Sequence, residues 1–375
     1  MAVYKIFPTQ DATIYSAYPN QNTGLDEILD ASTNFLTGSV QIDGDLPQTS
    51  RFLIQFNNSD IAYISQSLIQ DKEWNANLRV FVANATYLQT DTTVLTNAVS
   101  GSWNMGTGKY MDDPEVQNGV SWIWRTYSGS NAWLTSSYPA GVTGSYDPNN
   151  TPGGGVWWTG SQVSQVFSYR SDLDLNFGVK GIVEHWTGSS PVWDNNGFIV
   201  RQDPSQEFID NINQQITLKY FSVDTHTIYP PCLEFKWKDF SFSTGSLPEI
   251  TGSNPYVSLA NNPGYFYSES IQRFRLNVRP QFPARSFQTS SIYTTQYYLP
   301  SGSSYWAIKD LDTNEYIVDF DSTYTLISTD HSGSYFDVYM NGLQPERYYK
   351  ILIQSTISGN TIVFDNDYYF KVING

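Results

Sequence analysis

Short runs in which apolar and polar residues alternate recur along this chain, so its dominant rhythm is that of strands rather than helices. Residues 1–7 alternate well enough to form a strand. Asp11-Ala-Thr-Ile-Tyr15 is a second, closed by the turn material Tyr18-Pro-Asn-Gln-Asn22. Arg51-Phe-Leu-Ile-Gln-Phe56 reads as a strand with a largely buried run. Asn77-Leu-Arg-Val-Phe-Val-Ala83 places Leu78, Val80 and Val82 on one face. Residues 174–179, 197–201, 216–221 and 233–237 continue the series. The best helix candidate starts at Asn58-Ser-Asp60, whose side chains suit a cap, and runs towards Ile69.

The pattern dissolves between about residues 100 and 165 into Gly, Ser, Asn and Trp, and Asp147-Pro-Asn-Asn-Thr-Pro-Gly-Gly-Gly155 excludes regular structure. Yet Trp103, Trp122, Trp124, Trp133, Trp157 and Trp158 lie in or beside that stretch. Disordered tracts are poor in aromatics, so an ordered set of long loops is expected. Its tryptophans pack either on the sandwich beneath them or on a partner, and all six are the candidate contacts for a partner protein or a glycan. Residues 241–263, rich in Ser, Gly, Pro and Asn, read as a linker. Beyond them, short strands at near-regular spacing (273–278, 305–308, 316–320, 335–339, 348–353, 368–372) form the pattern of a second sandwich. The expectation is therefore an all-β chain with domains at 1–240 and 264–375, the second immunoglobulin- or fibronectin-III-like. A Gly-Ser dipeptide recurs without fixed spacing, from Gly38-Ser39 to Gly333-Ser334, and marks turns rather than a solenoid repeat.

Composition agrees with this. Only 15% of the 375 residues are charged and 16% are aromatic, led by 27 Tyr, a balance suited to half-buried pleated surfaces. The net charge of −16 repels phosphate backbones, so nucleic-acid binding by a basic face is not expected. No apolar run is long enough to span a membrane. The opening residues lack the features of a secretory signal, and a single cysteine, Cys232, rules out an internal disulfide framework. Synthesis in a reducing cytoplasm, with release by lysis, fits both.

Candidate chemistry is sparse. The three histidines, His185, His226 and His331, form no pair at metal-ligand spacing. Cys232 follows two prolines in an apolar context and reads as a small buried hydrophobe. Asp310-Leu-Asp-Thr-Asn-Glu315 alternates oxygen ligands but lacks the central Gly and distant Glu of a calcium loop, so a hairpin turn is the reading. Asp112, Asp113 and Glu115 form a second acidic knot. Nucleophile elbows and phosphate-cradling loops are missing, and no pair among the 36 acidic residues stands out as a glycosidase acid and base. No catalytic residue, cofactor or metal is assigned.

The order of the first domain's elements resembles the DNRLRE-type β-sandwich modules. The segments that carry this are Asp11-Ala-Thr-Ile-Tyr15, Pro19-Asn-Gln-Asn22 before a Gly, Ser50-Arg-Phe-Leu-Ile-Gln-Phe56, Asn77-Leu-Arg-Val-Phe81, Val120-Ser-Trp122, residues 174–186, Gly197-Phe-Ile-Val200 and Pro231-Cys-Leu-Glu-Phe235. The resemblance implies a jelly-roll-like sandwich used in surface and binding proteins, without a shared catalytic residue. The whole chain also resembles virion structural proteins of large contractile-tailed phages of marine cyanobacteria. That likeness is carried by Met1-Ala-Val-Tyr-Lys-Ile-Phe-Pro8, Asn22-Thr-Gly-Leu-Asp-Glu-Ile28, Asp224-Thr-His-Thr-Ile-Tyr-Pro-Pro-Cys232, Phe287-Gln-Thr-Ser-Ser-Ile-Tyr293 and Tyr368-Tyr-Phe-Lys-Val-Ile-Asn-Gly375. It implies a non-enzymatic component of the neck, tail or capsid exterior, held by other virion proteins and present as a homo-oligomer in a symmetric assembly. The alternative is a carbohydrate-binding or adhesion module that meets a host glycan.

Overall fold

The computed structural model describes all residues except 1, 35–47, 87, 89, 128–130, 145–151, 169, 171–173, 189–191, 208–215, 253 and 283–295. Strands make up 44% of it and helices 9%, so the chain is all-β. It divides into two compact units. The first holds residues 6–70 and 75–234, the second residues 1–5, 71–74 and 235–375.

In the first unit the main sheet runs in the order Val163–Phe167, Thr92–Ala98, Phe198–Gln202, Gln48–Gln55, Gln10–Tyr15, with Thr33–Asn34 paired to Gln48–Gln55. All of its pairings are antiparallel, with Phe198 opposite both Ile54 and Ala98. The central strand Thr92–Ala98 escapes a search for alternation, because Thr92, Thr96 and Asn97 are buried beside Val94, Leu95 and Ala98. A strand covered on both faces has no wet face to impose period two, and six of these seven residues are buried. A smaller sheet pairs Thr217–Phe221 with Ile28–Asp30 and Val82–Thr86, setting Lys219 opposite Asp30.

The expected helix is present as Asn58–Tyr63. Asn57, one residue earlier than the expected cap, accepts from the Ser59 N–H at 2.9 Å. The chain then widens into a π-turn over Ile64–Leu68 and reaches Ile69. A second helix, Lys180–Thr187, follows Leu175–Gly178, in a stretch for which the sequence reading, whose strand ended at residue 179, predicted no helix. Its buried Ile182, Val183 and Trp186 recur at helical spacing from Val179.

In the second unit one sheet has the order Pro255–Leu259, Ile271–Pro280, Gly333–Tyr339, Ser328–Asp330. The other runs Tyr265–Tyr267, Asn360–Ile373, Tyr348–Ile357, Ser304–Asp310, Tyr316–Val318. Val257, Phe274, Val278 and Phe336 from the one, with Trp306, Ile308, Ile351 and Phe370 from the other, share a single core, so the unit is sandwich-like. Two boundary expectations change here. The segment 241–263 is no linker throughout, because Ile250 and Val257 enter this core and Pro255–Leu259 is laddered to Ile271–Pro280. Val3 joins the same core, which places the first five residues in the second unit. Of the Gly-Ser dipeptides, Gly302-Ser303 lies in a turn but Gly333-Ser334 opens a strand. Gly38-Ser39 and the segment 287–293 lie outside the described residues, as do Ser145, Ser189 and Ser253 of three further dipeptides.

Candidate functional site

Four of the six candidate tryptophans are core residues. Trp103, Trp122, Trp133 and Trp157 are buried in one cluster with Ile14, Leu53 and Ile199. Trp103 Nε1 donates to the Asn196 carbonyl at 2.8 Å and Trp133 Nε1 to the Ser121 carbonyl at 3.0 Å. Surface contact by these four is thereby corrected. The loops are polar in sequence, but the sheet beneath them offers the apolar ground on which large rings bury most area. Trp124 and Trp158 remain half-buried. Trp124 Nε1 donates to Asn20 Oδ1 at 3.0 Å, and Trp158 stacks on Trp193 with ring centroids 5.7 Å apart.

The first unit carries a cleft of about 380 Å³. Tyr15, Tyr18 and Tyr110 wall it, and Asp26, Asp30 and Lys219 are among its polar lining. Tyr110 arrives from the long loop through two side chains of the Pro19-Asn-Gln-Asn22 turn. Gln21 Nε2 donates to the Lys109 and Tyr110 carbonyls at 2.9 and 2.6 Å. Asn22, fully buried, donates to the Met105 and Val120 carbonyls at 2.6 and 2.8 Å and accepts from the Gly108 N–H at 2.8 Å. A Cβ at Gly106 would lie 2.3 Å from Asn22 Oδ1, and φ there is +76°, so only glycine fits that approach. The Tyr110 ring then lies 4.7 Å from Tyr15 and 5.5 Å, edge-on, from Tyr18.

Electrostatics in the cleft are set by burial. Asp30 is pushed above the carboxylate range by desolvation, against the hydroxyls of Ser32 and Ser50 that donate to it and the nearby Lys219. Asp26, half-buried, rises to about 6 for the same reason, although the Tyr110 N–H donates to its carboxylate at 3.2 Å. Tyr110 rises to about 12 through burial and the neighbouring Tyr18. These groups come from sequence positions 15 to 219 with no local motif, and sequence reasoning missed the site.

A second cavity of the same unit, about 320 Å³, is lined by Trp186 and Trp193 with Asn58, Gln66 and Asn195 among its polar groups. Trp186 Nε1 is buried without a hydrogen-bond partner among the described residues.

In the second unit the outer face of the five-stranded sheet is a lattice of tyrosine and lysine. Register sets Tyr265, Lys371 and Tyr348 side by side, and Tyr369, Lys350, Lys309 and Tyr316 in the next row. Tyr265, Tyr267, Tyr316, Tyr348 and Tyr369 are between 44% and 55% exposed. Lys309 Nζ sits 4.3 Å from the Tyr316 ring, and Lys350 is paired with Asp365 at 2.6 Å and Asp367 at 3.1 Å.

The remaining candidates resolve individually. Cys232 is buried. The Asp310 segment is the expected hairpin turn between Ser304–Asp310 and Tyr316–Val318. Asp310 accepts from the Asp312 and Thr313 N–H groups at 3.0 and 2.9 Å and takes a bidentate pair from Arg347 at 2.7 Å. Burial, the largest single influence, raises its pKa, but the hydrogen bonds and charge of Arg347 and the N–H and hydroxyl of Thr313 together outweigh it and hold the carboxyl below its ordinary value. Asp112 accepts from the Lys109 N–H at 2.7 Å, which closes a turn. Among the described residues no three His, Cys, Asp or Glu side chains gather as metal ligands. His185 packs on Trp193 at 4.1 Å between centroids, whereas the His226 side chain is 90% exposed, 3.8 Å from Glu27.

Comparison with protein-family models gives no match for this chain, and comparison with curated proteins gives no significant one.

Proposed function

We propose that this chain is a non-enzymatic structural protein of a bacteriophage particle and works through protein–protein contacts. The sequence resemblance supplies the class, and the tyrosine–lysine face of the second unit is the observation that supports the mode of action. Exposed tyrosines give large, rigid contact area with a polar tip at little entropic cost, which is the chemistry of polar, adaptable interfaces. The sheet's edge strands, Tyr265–Tyr267 and Tyr316–Val318, are three residues each, so the face rather than an edge is the natural contact. In this reading the second unit is immunoglobulin-like and the first a jelly-roll-like module, with many copies arranged by symmetry. Amine-reactive cross-linking of intact particles tests the contact: Lys309, Lys350 and Lys371 should link to neighbouring chains. Links confined to lysines of the first unit would count against it.

One observation favours a second reading, a glycan-binding module. The cavity of Trp186 and Trp193 combines ring surface with the amide side chains of Asn58, Gln66 and Asn195, a set suited to sugar hydroxyls. Glycan-array binding lost on Trp193→Ala would favour it. Trp157 serves poorly for that purpose, since it belongs to the core.

A further inference from the structure

We propose that the cleft walled by Tyr15, Tyr18 and Tyr110 binds an aliphatic ammonium or guanidinium group. Three features converge on that chemistry. The rings of Tyr15 and Tyr18 both touch that of Tyr110, forming a continuous aromatic wall, and aromatic faces attract organic cations through their quadrupole. Among the described residues three carboxylates, Asp26, Glu27 and Asp30, line the cleft against one cation, Lys219, so this lining is net negative. Finally, about 380 Å³ holds a charged head together with its alkyl stem, at the small end of ligand sites.

Other ligand classes fit less well. A phosphate or carboxylate ligand would meet three acids. A bare metal ion would want a compact oxygen cage, and no three ligating side chains gather among the described residues. A neutral sugar would leave the carboxylates without a counter-charge. Asp26 and Asp30 already resist ionisation through burial, and an incoming cation is what would let both hold their charge. The group has two sources, a small amine or a lysine or arginine side chain of another protein. The proposal concerns the first unit alone and stands whether or not the chain belongs to a particle.

Titration calorimetry of the full chain at physiological salt decides it. The probes are butylammonium, spermidine, an arginine-containing hexapeptide and methyl glucoside, against wild type, Asp26→Asn, Tyr110→Ala and the exposed control Asp60→Asn, each checked for an unchanged melting temperature. The expected result is saturable binding of the cations. Affinity falls tenfold or more in Asp26→Asn and Tyr110→Ala and is unaltered in Asp60→Asn. Tighter binding of the hexapeptide than of spermidine identifies a protein-borne group, and the reverse a small amine. Cation binding that survives Asp26→Asn, binding of methyl glucoside alone, or no binding at all would overturn the proposal. If Tyr110→Ala fails to fold, Tyr110→Leu replaces it, keeping the bulk and removing the aromatic face.

Discussion

Arg51 and Glu207 form a bidentate ion pair, Nε to Oε1 at 2.8 Å and Nη2 to Oε2 at 2.9 Å, with both side chains wholly buried. The guanidinium also lies 5.0 Å from the Trp122 ring centroid and 5.7 Å from that of Trp157. Arg201, also buried, sits 4.4 Å from the Trp157 ring, and its pKa is lowered to about 10, mainly by burial. The tryptophans of the long loops are thus anchored on buried cations as well as on aliphatic side chains. Removing one partner of such a pair strands a charge in the interior. Glu207→Ala should cost about 3–5 kcal/mol in urea unfolding, and the double variant Arg51→Met, Glu207→Leu should recover much of that loss. A single-variant cost under about 1 kcal/mol would show the pair to be solvated.

Asn22 holds residues 104–120 to the rest of the first unit through side-chain hydrogen bonds to Met105, Gly108 and Val120. Asn22→Ala leaves those backbone groups unmatched, at about 2–4 kcal/mol. Limited proteolysis should then cut first within residues 104–120, while exposed Asn58→Ala leaves the cleavage pattern unaltered.

Asp11 gives a pH signature. Its pKa rises to about 7 from 3.8, chiefly through burial, with the Val223 N–H opposing and the charge of Asp224 adding. Oδ2 accepts from that N–H at 2.7 Å, while Oδ1 has no hydrogen-bond partner among the described residues. The folded state therefore holds a proton that the unfolded state releases, so its stabilising effect is complete below about pH 4 and lost as pH rises through about 7. Asp11→Asn should gain on wild type between those limits, by on the order of 2–4 kcal/mol. Parallel curves for the two proteins would refute this.

Asp310 predicts indifference to metal. Its carboxylate is engaged by Arg347 and by the turn's own N–H groups. Chelation should leave the melting temperature of the second unit unmoved, whereas Arg347→Ala should lower its stability by about 2 kcal/mol. A drop on chelation that added calcium reverses would restore the calcium-loop reading.

Most strands were legible because a half-buried strand writes its two faces into alternate residues, as at Leu78 and Val80. Thr92–Ala98 was not, since its buried Thr96 and Asn97 are satisfied by a neighbouring carbonyl and by Ser161 rather than excluded from the core. Lys180–Thr187 was hidden by β-branched residues and a glycine, although Val179, Ile182, Val183 and Trp186 carry the helical period. The tryptophans pointed to packing of the loops, and four of them enter the core, but not to which rings reach the surface, because core and contact aromatics share one alphabet. The cleft was illegible: Tyr15, Asp26, Tyr110 and Lys219 meet only through sheet register and the Asn22 clamp. The Arg51–Glu207 pair was equally silent, because a partner 156 positions away leaves no local trace.

The particle assignment turns on one measurement, quantitative mass spectrometry of gradient-purified virions. The chain should co-purify with the capsid and tail proteins at a fixed ratio set by the symmetry of the assembly. Its absence from intact particles, with abundance only in the soluble lysate, would contradict the assignment.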